Sequence, residues 1–231
     1  MSNYKTVFFI LGVLQIILGL SMIVPIMAQF YYNQVDSGFI GSGLVSIIFG
    51  VLFFLSNLDY EKKLTLPQAF LLTALSWLSI AIFGSLPFVF SDLSLSFTNA
   101  FFESMSGITT TGSTILTNLN ETPKAILLWR AMLQWLGGIG IIVMAITLMP
   151  IMNIGGMQLF VISNTHTPEK ILPKSKEISI RLIVIYSSLT LVCAFFYKIF
   201  GMSFFDSIVH SMTTIATGGF SNCLLYTSPS P

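Results

Sequence analysis

Apolar residues run along this chain in five long segments, about 7–28, 38–56, 66–90, 125–152 and 178–200. Each is near or above the roughly 20 residues that a bilayer-spanning helix requires, so the pattern predicts five transmembrane helices. Two shorter segments break the rhythm. Phe97 to Ser113 (FTNAFFESMSGITTTGS) and Phe204 to Phe220 (FFDSIVHSMTTIATGGF) each begin as an apolar half-helix and end in threonine and glycine.

These two segments repeat each other at an offset of 107, the distance from Phe97 to Phe204. They coincide at Phe97/Phe204, Ser104/Ser211, Met105/Met212, Ile108/Ile215, Thr110/Thr217 and Gly112/Gly219, six of seventeen positions. Such a segment is too interrupted to cross the bilayer yet too apolar for water. Irregular backbone at membrane depth is tolerated where protein buries it or where it lines a watery cavity, so the repeat predicts two re-entrant loops.

Composition narrows the class. Hydrophobic residues make up 54% of the 231 and charged residues 8%, and the mean hydropathy of +0.87 leaves too little polar surface for a water-soluble domain. The formal charge of +1 gives no footprint for nucleic acid. Cys193 and Cys223 suggest free thiols, neither a disulfide framework nor a thiolate metal site. The apolar run after Lys5 is too long for a signal peptide and lacks a small-residue cleavage site, so it reads as a retained helix.

Basic residues set the orientation. Lys5, Lys62, Lys63, Lys170, Lys174, Lys176 and Arg181 fall on one side of the five spans, seven of the ten lysines and arginines. By the positive-inside rule that side is cytoplasmic, which places the amino terminus inside and both threonine/glycine loops outside. The chain divides into two leading helices (1–60), a helix, loop, helix unit (61–152), a cytoplasmic loop (153–177), the first helix and loop of a second unit (178–222), and a tail (223–231) whose sequence departs from the repeat and reads as a truncated or foreign end.

The loops carry the candidate chemistry. A potassium ion shedding water needs several oxygens at fixed spacing, and successive carbonyls in a glycine-permitted backbone supply them without a charged side chain. Thr109, Thr110, Thr111 and Gly112 form one such run, and Ala216, Thr217, Gly218 and Gly219 the other. Each preceding half-helix, about 97–107 and 204–214, would point its partly negative carboxyl end at the site and favour a cation. A single threonine/glycine cluster more often marks a turn or cap; repetition on the same side shifts the weight.

Surrounding residues leave alternatives open. Glu103 and His210 are equivalent by the offset and are candidates for filter support or simply for bracing their loops. Arg130 could pair with Glu103 or Glu121 behind the loop, or snorkel to the interface with Trp129 and Trp135 as aromatic anchors. Asp206, aligned with Asn99, is placed to cap its half-helix. Gly137, Gly138 and Gly140 read as a close-packing face, or as space below the loops for a hydrated ion. His210 alone is not a metal site. No nucleophile with a base, phosphate loop or acid pair supports an enzyme.

The strings SMSGITTTGST, LLWRAMLQWLGGIGIIVMAITLMP (Leu127 to Pro150) and HSMTTIATGGFSN (His210 to Asn222) resemble the TrkH/TrkG branch of the Trk/Ktr/HKT potassium transporters. The resemblance covers nearly all of the chain to Asn222. It implies an all-α integral membrane protein of helix, pore loop, helix units set pseudo-fourfold around one potassium path, of which this chain would hold two of four loops. It further implies backbone ligands at Thr110, Thr111, Thr217 and Gly218, with Gly112 and Gly219 as filter glycines. A homodimer in the bacterial inner membrane, gated by a cytoplasmic nucleotide-binding partner of the TrkA kind, completes the expectation. A sodium-permeable or ion-coupled protein of the same architecture and a non-conducting scaffold are the competing readings.

Overall fold

A computed structural model describes residues 4–34, 36–60, 64–152 and 171–222. The described residues form helices and connections without strands: α1 (Lys5–Ser21), α2 (Ile23–Tyr31), α3 (Gly38–Ser56), α4 (Leu66–Phe90), α5 (Phe97–Ile108), α6 (Lys124–Met152), α7 (Ile171–Ile199) and α8 (Phe204–Ile215). Lys62, Lys63, Lys170 and the tail from Cys223 lie outside them, as does most of the expected cytoplasmic loop.

Among the described residues, five segments are long and apolar enough to cross a membrane: Lys5–Tyr31, Gly38–Ser56, Pro67–Phe90, Lys124–Met144 and Glu177–Ile199. The five expected spans are therefore present, with two corrections. The first span is two helices. Pro25 has no N–H to give the carbonyl of Ser21 and its ring crowds that carbonyl, so the helix breaks at Met22, whose N–H turns to Gly19 at 3.3 Å instead. The fifth helix begins earlier than expected, because α7 starts at Ile171, inside the stretch assigned to the cytoplasmic loop. Charge ends an apolar run but not a helix, and lysine and glutamate are good helix formers.

Small residues bring α1 and α3 together. A Cβ at Gly12 would lie 2.7 Å from the Gly50 carbonyl oxygen, and one at Gly50 would lie 2.8 Å from that of Gly12. Gly19 faces Gly43 in the same way two turns on, with 2.9 Å to its carbonyl oxygen. On the same helix α3, Ser42 and Ser46 are buried and return their hydroxyls to the carbonyls of Gly38 and Ser42 at 2.6 and 2.9 Å. Without a hydrophobic drive between helices in lipid, this close backbone approach is what holds such a pair.

Burial identifies the central helix. In the membrane-length window of α6, 61% of residues are buried, against 22% in α4 and 11% in α7. Ala125, Ile126, Leu127, Leu128, Trp129, Ala131, Met132 and Leu133 follow one another into the core, all round the helix. A helix apolar on every side belongs inside the protein. Trp129 donates its indole N–H to the Gly84 carbonyl of α4 at 2.9 Å, and Trp135 donates to Thr190 of α7 at 3.0 Å. These tryptophans tie α6 to its neighbours.

The half-helices α5 and α8 have 12 residues each. At about 1.5 Å per residue neither approaches the thickness of a bilayer. Each begins at a serine, Ser96 or Ser203, whose hydroxyl accepts from the amide of Asn99 at 3.4 Å or Asp206 at 3.1 Å. The cap is thus serine rather than Asn99 or Asp206. Asp206 sits one turn inside, where its carboxylate accepts the Ser203 hydroxyl at 2.6 Å.

Candidate functional site

Both half-helices end in the same backbone device. In α5 the amide of Thr110 bonds the Gly107 carbonyl at 2.9 Å and that of Thr111 bonds Ser106 at 3.0 Å. In α8 the amide of Thr217 bonds Thr214 at 3.0 Å and that of Gly218 bonds Thr213 at 2.9 Å. This paired pattern is a Schellman cap, which needs a left-handed residue just past the helix. Thr110 takes it with φ 56° and Thr217 with φ 54°. Two residues later Gly112 and Gly219 both have φ 80°.

A left-handed conformation costs a residue with a Cβ about 1–2 kcal/mol, and it is rarest for β-branched side chains. The structure carries that strain at two equivalent threonines, so the repeat extends from residue type to backbone geometry. The amides of both caps turn back into their helices. Among the described residues, the carbonyls of Thr110, Thr111 and Gly112 take no hydrogen bond.

The two loops meet. A Cβ at Gly112 would collide with the carbonyl oxygen of Gly218, which only a glycine avoids at this φ. Gly218 in turn lies against Gln134 of α6, whose amide nitrogen donates to the Gly218 carbonyl at 2.9 Å. One lone pair of that oxygen is committed to the protein and one is left. The other end of the Gln134 amide accepts from the Phe220 N–H at 3.3 Å.

Arg130, one turn before Gln134, holds the other loop. Its Nε donates to Glu103 Oε1 at 2.6 Å, and the side chains are 1% and 0% exposed. Glu103 also accepts the Thr114 hydroxyl at 2.8 Å and the Ile115 amide at 3.0 Å, tying the outgoing limb of the first loop to its half-helix. Arg130 reaches the second loop as well, through Ser221 O at 3.3 Å and the face of Phe220 at 4.1 Å. Of the alternatives for Arg130, pairing with Glu103 holds; it does not snorkel. Glu103 braces its loop.

His210, the positional equivalent of Glu103, does not take the same part. The outgoing limb of the second loop is tied by Asp206, which accepts from Asn222 Nδ2 at 2.8 Å. His210 lines an open cavity of about 690 Å³ with Asp206, Asn222, Lys124 and Leu119. Burial lowers the His210 pKa from its ordinary value, against the raising effect of Asp206. Burial pushes Asp206 up, but hydrogen bonds from Ser203 and Asn222 and the charges of His210 and Lys124 outweigh it, leaving the carboxyl below its ordinary value.

The glycines of α6 separate into two kinds. At Gly137 a Cβ would run into the Ile108 carbonyl at the end of α5, and at Gly138 it would meet Ala216 Cα at 3.2 Å at the end of α8. Gly140 has open space around it. Gly137 and Gly138 therefore serve close packing, one against each half-helix. Among the described residues no cluster of histidine, cysteine, aspartate and glutamate could hold a metal ion. Cys193 is a free thiol, and Cys223 lies outside the described residues.

Sequence reasoning missed Gln134 as a contact of the second loop and Ser96 and Ser203 as caps. The serines were findable, since they are identical at the same offset one residue before the compared segments. Gln134 had no such signal.

Among the described residues, five membrane-length segments with two re-entrant loops of one repeated unit define an all-helical integral membrane protein. Residues 35–224 match the family described as TrkH, cation transport protein, and the chain belongs to that family. It is 40% identical over 214 residues to the Trk system potassium uptake protein TrkI of Halomonas elongata, covering 92% of this chain and 44% of that protein. Against the Trk system potassium uptake protein TrkH of Escherichia coli it is 39% identical over 223 residues, covering 95% and 46%. The crystal structure of the potassium transporter TrkH from Vibrio parahaemolyticus superposes with a TM-score of 0.86 at 36% identity, over 96% of this chain and 45% of that one. The chain spans less than half the length of these relatives.

Proposed function

We propose that the full-length protein carrying these residues takes up potassium across the bacterial inner membrane. The observation that carries the reading is the shared backbone of the two loops. Left-handed residues recur at alternate positions, Thr110 and Gly112, then Thr217 and Gly219, and the loops meet at Gly112 and Gly218. An extended strand turns successive groups to opposite sides, whereas changes of handedness at alternate residues can gather carbonyls on one side. Carbonyl oxygens so gathered replace the hydration shell of an alkali cation. Thr109, Thr110, Thr111, Gly112, Ala216, Thr217, Gly218 and Gly219 are the residues assigned to that path.

The relatives carry potassium uptake in their names, which supports the same cargo here. The amino terminus is assigned to the cytoplasm, a homodimer to the assembly, and gating to a cytoplasmic nucleotide-binding partner. Cells lacking their own potassium uptake, given the full-length gene and that partner, should grow at low external potassium. Failure to grow despite confirmed membrane insertion would overturn the reading.

A further inference from the structure

We infer that Gln134 is a positioning residue for ion selectivity, setting the second loop from a helix that belongs to the first unit. The inference rests on the reading of the loops as a potassium path. Gln134 is 0% exposed and its amide is used at both ends within one loop: it donates to Gly218 O at 2.9 Å and accepts from Phe220 N at 3.3 Å. The two bonds straddle Gly219, whose φ of 80° is the left-handed turn of that loop. An amide offers a donor and an acceptor in one plane without depending on its protonation state.

Geometry leaves Gln134 little freedom. A Cβ on Gly218 would fall on its amide group, so loop and side chain are in direct contact. The same Gly218 oxygen abuts Gly112 of the first loop. Orientation of this carbonyl therefore fixes the spacing of the two loops where they meet. A carbonyl held in place discriminates between cations of different radius better than one free to follow the ion.

The test compares Gln134→Leu and Gln134→Glu in the full-length protein, measuring initial uptake of potassium and of sodium per molecule in the membrane. Leucine removes both bonds. Glutamate, at a pH high enough to ionise it, keeps an acceptor for Phe220 and sets an acceptor against the Gly218 oxygen. Both should lower the potassium-to-sodium ratio, by about tenfold, the ratio that about 1.4 kcal/mol corresponds to. A residue that only supports folding would lower the amount of protein and leave the ratio unchanged. An unchanged ratio in the variant that reaches the membrane overturns the inference, and so does failure of both variants to reach it. If the unsubstituted protein itself shows no preference for potassium, the reading of the path fails instead.

Discussion

Arg130 and Glu103 form a buried ion pair, Nε to Oε1 at 2.6 Å, on which three further groups converge: Thr114, Ile115 and Ser221. The pair joins the end of one loop to the end of the next. Removing one partner leaves a buried charge without compensation, at a cost of about 3–5 kcal/mol. Glu103→Gln and Arg130→Gln should each sharply lower the melting temperature of the purified full-length protein. The double variant should recover part of that loss, because neither charge is then left alone. Strictly additive losses would mean that the two residues act independently.

Gly137 and Gly140 lie one turn apart on α6 and should respond in opposite ways to alanine. Gly137→Ala drives a Cβ into the Ile108 carbonyl, and backbone cannot swing aside as a side chain would. Overpacking of this kind costs about 1–3 kcal/mol or more. Gly140→Ala meets nothing and should leave stability unchanged or raise it by up to about 1 kcal/mol through helix propensity. Thermal unfolding of the two variants side by side checks the contrast.

Gly112 and Gly219 share a φ of 80° but not their surroundings. An alanine at Gly219 meets open space and carries only the backbone strain, whereas one at Gly112 also strikes the Gly218 oxygen. Gly112→Ala should therefore disturb ion selectivity and stability more than Gly219→Ala. Equal effects on uptake ratios would show that the contact between the loops is not maintained in the membrane.

Acidification should bear on the second loop through two groups of opposite kind. His210 is depressed below its ordinary 6.5, so the unfolded chain takes up the proton first and stability falls as pH drops below that value. Asp206 is depressed below 3.8, so its contribution is present above that value and lost as pH falls through its lower folded pKa. Of these two, only the histidine acts between about pH 7 and about pH 5. His210→Gln should flatten the fall in melting temperature over that interval, and an unchanged slope would show that His210 takes no part in it.

The spans and the repeat were legible because they rest on local pattern: apolar runs of membrane length, and identical residues at one offset. Even the break at Met22 is written in Pro25. What the sequence left open lies in contacts between distant residues. Gln134 stands 84 positions from Gly218 and Arg130 91 from Ser221, and no periodicity relates them. The equivalence of Glu103 and His210 held for position but not for role, because Arg130 is near one of them and Asn222 is held by Asp206 instead. A repeat predicts shared backbone more securely than shared side-chain partners.

In the function proposed here, the two threonine/glycine loops line a potassium path. Uptake of potassium and sodium by the full-length protein with the proposed cytoplasmic partner, in cells or vesicles lacking other routes, tests this path by comparing the natural protein with Gly112→Ala. Potassium preference is expected in the natural protein, and a lowered potassium-to-sodium ratio in the variant at equal membrane abundance. Identical ratios in the two would contradict it.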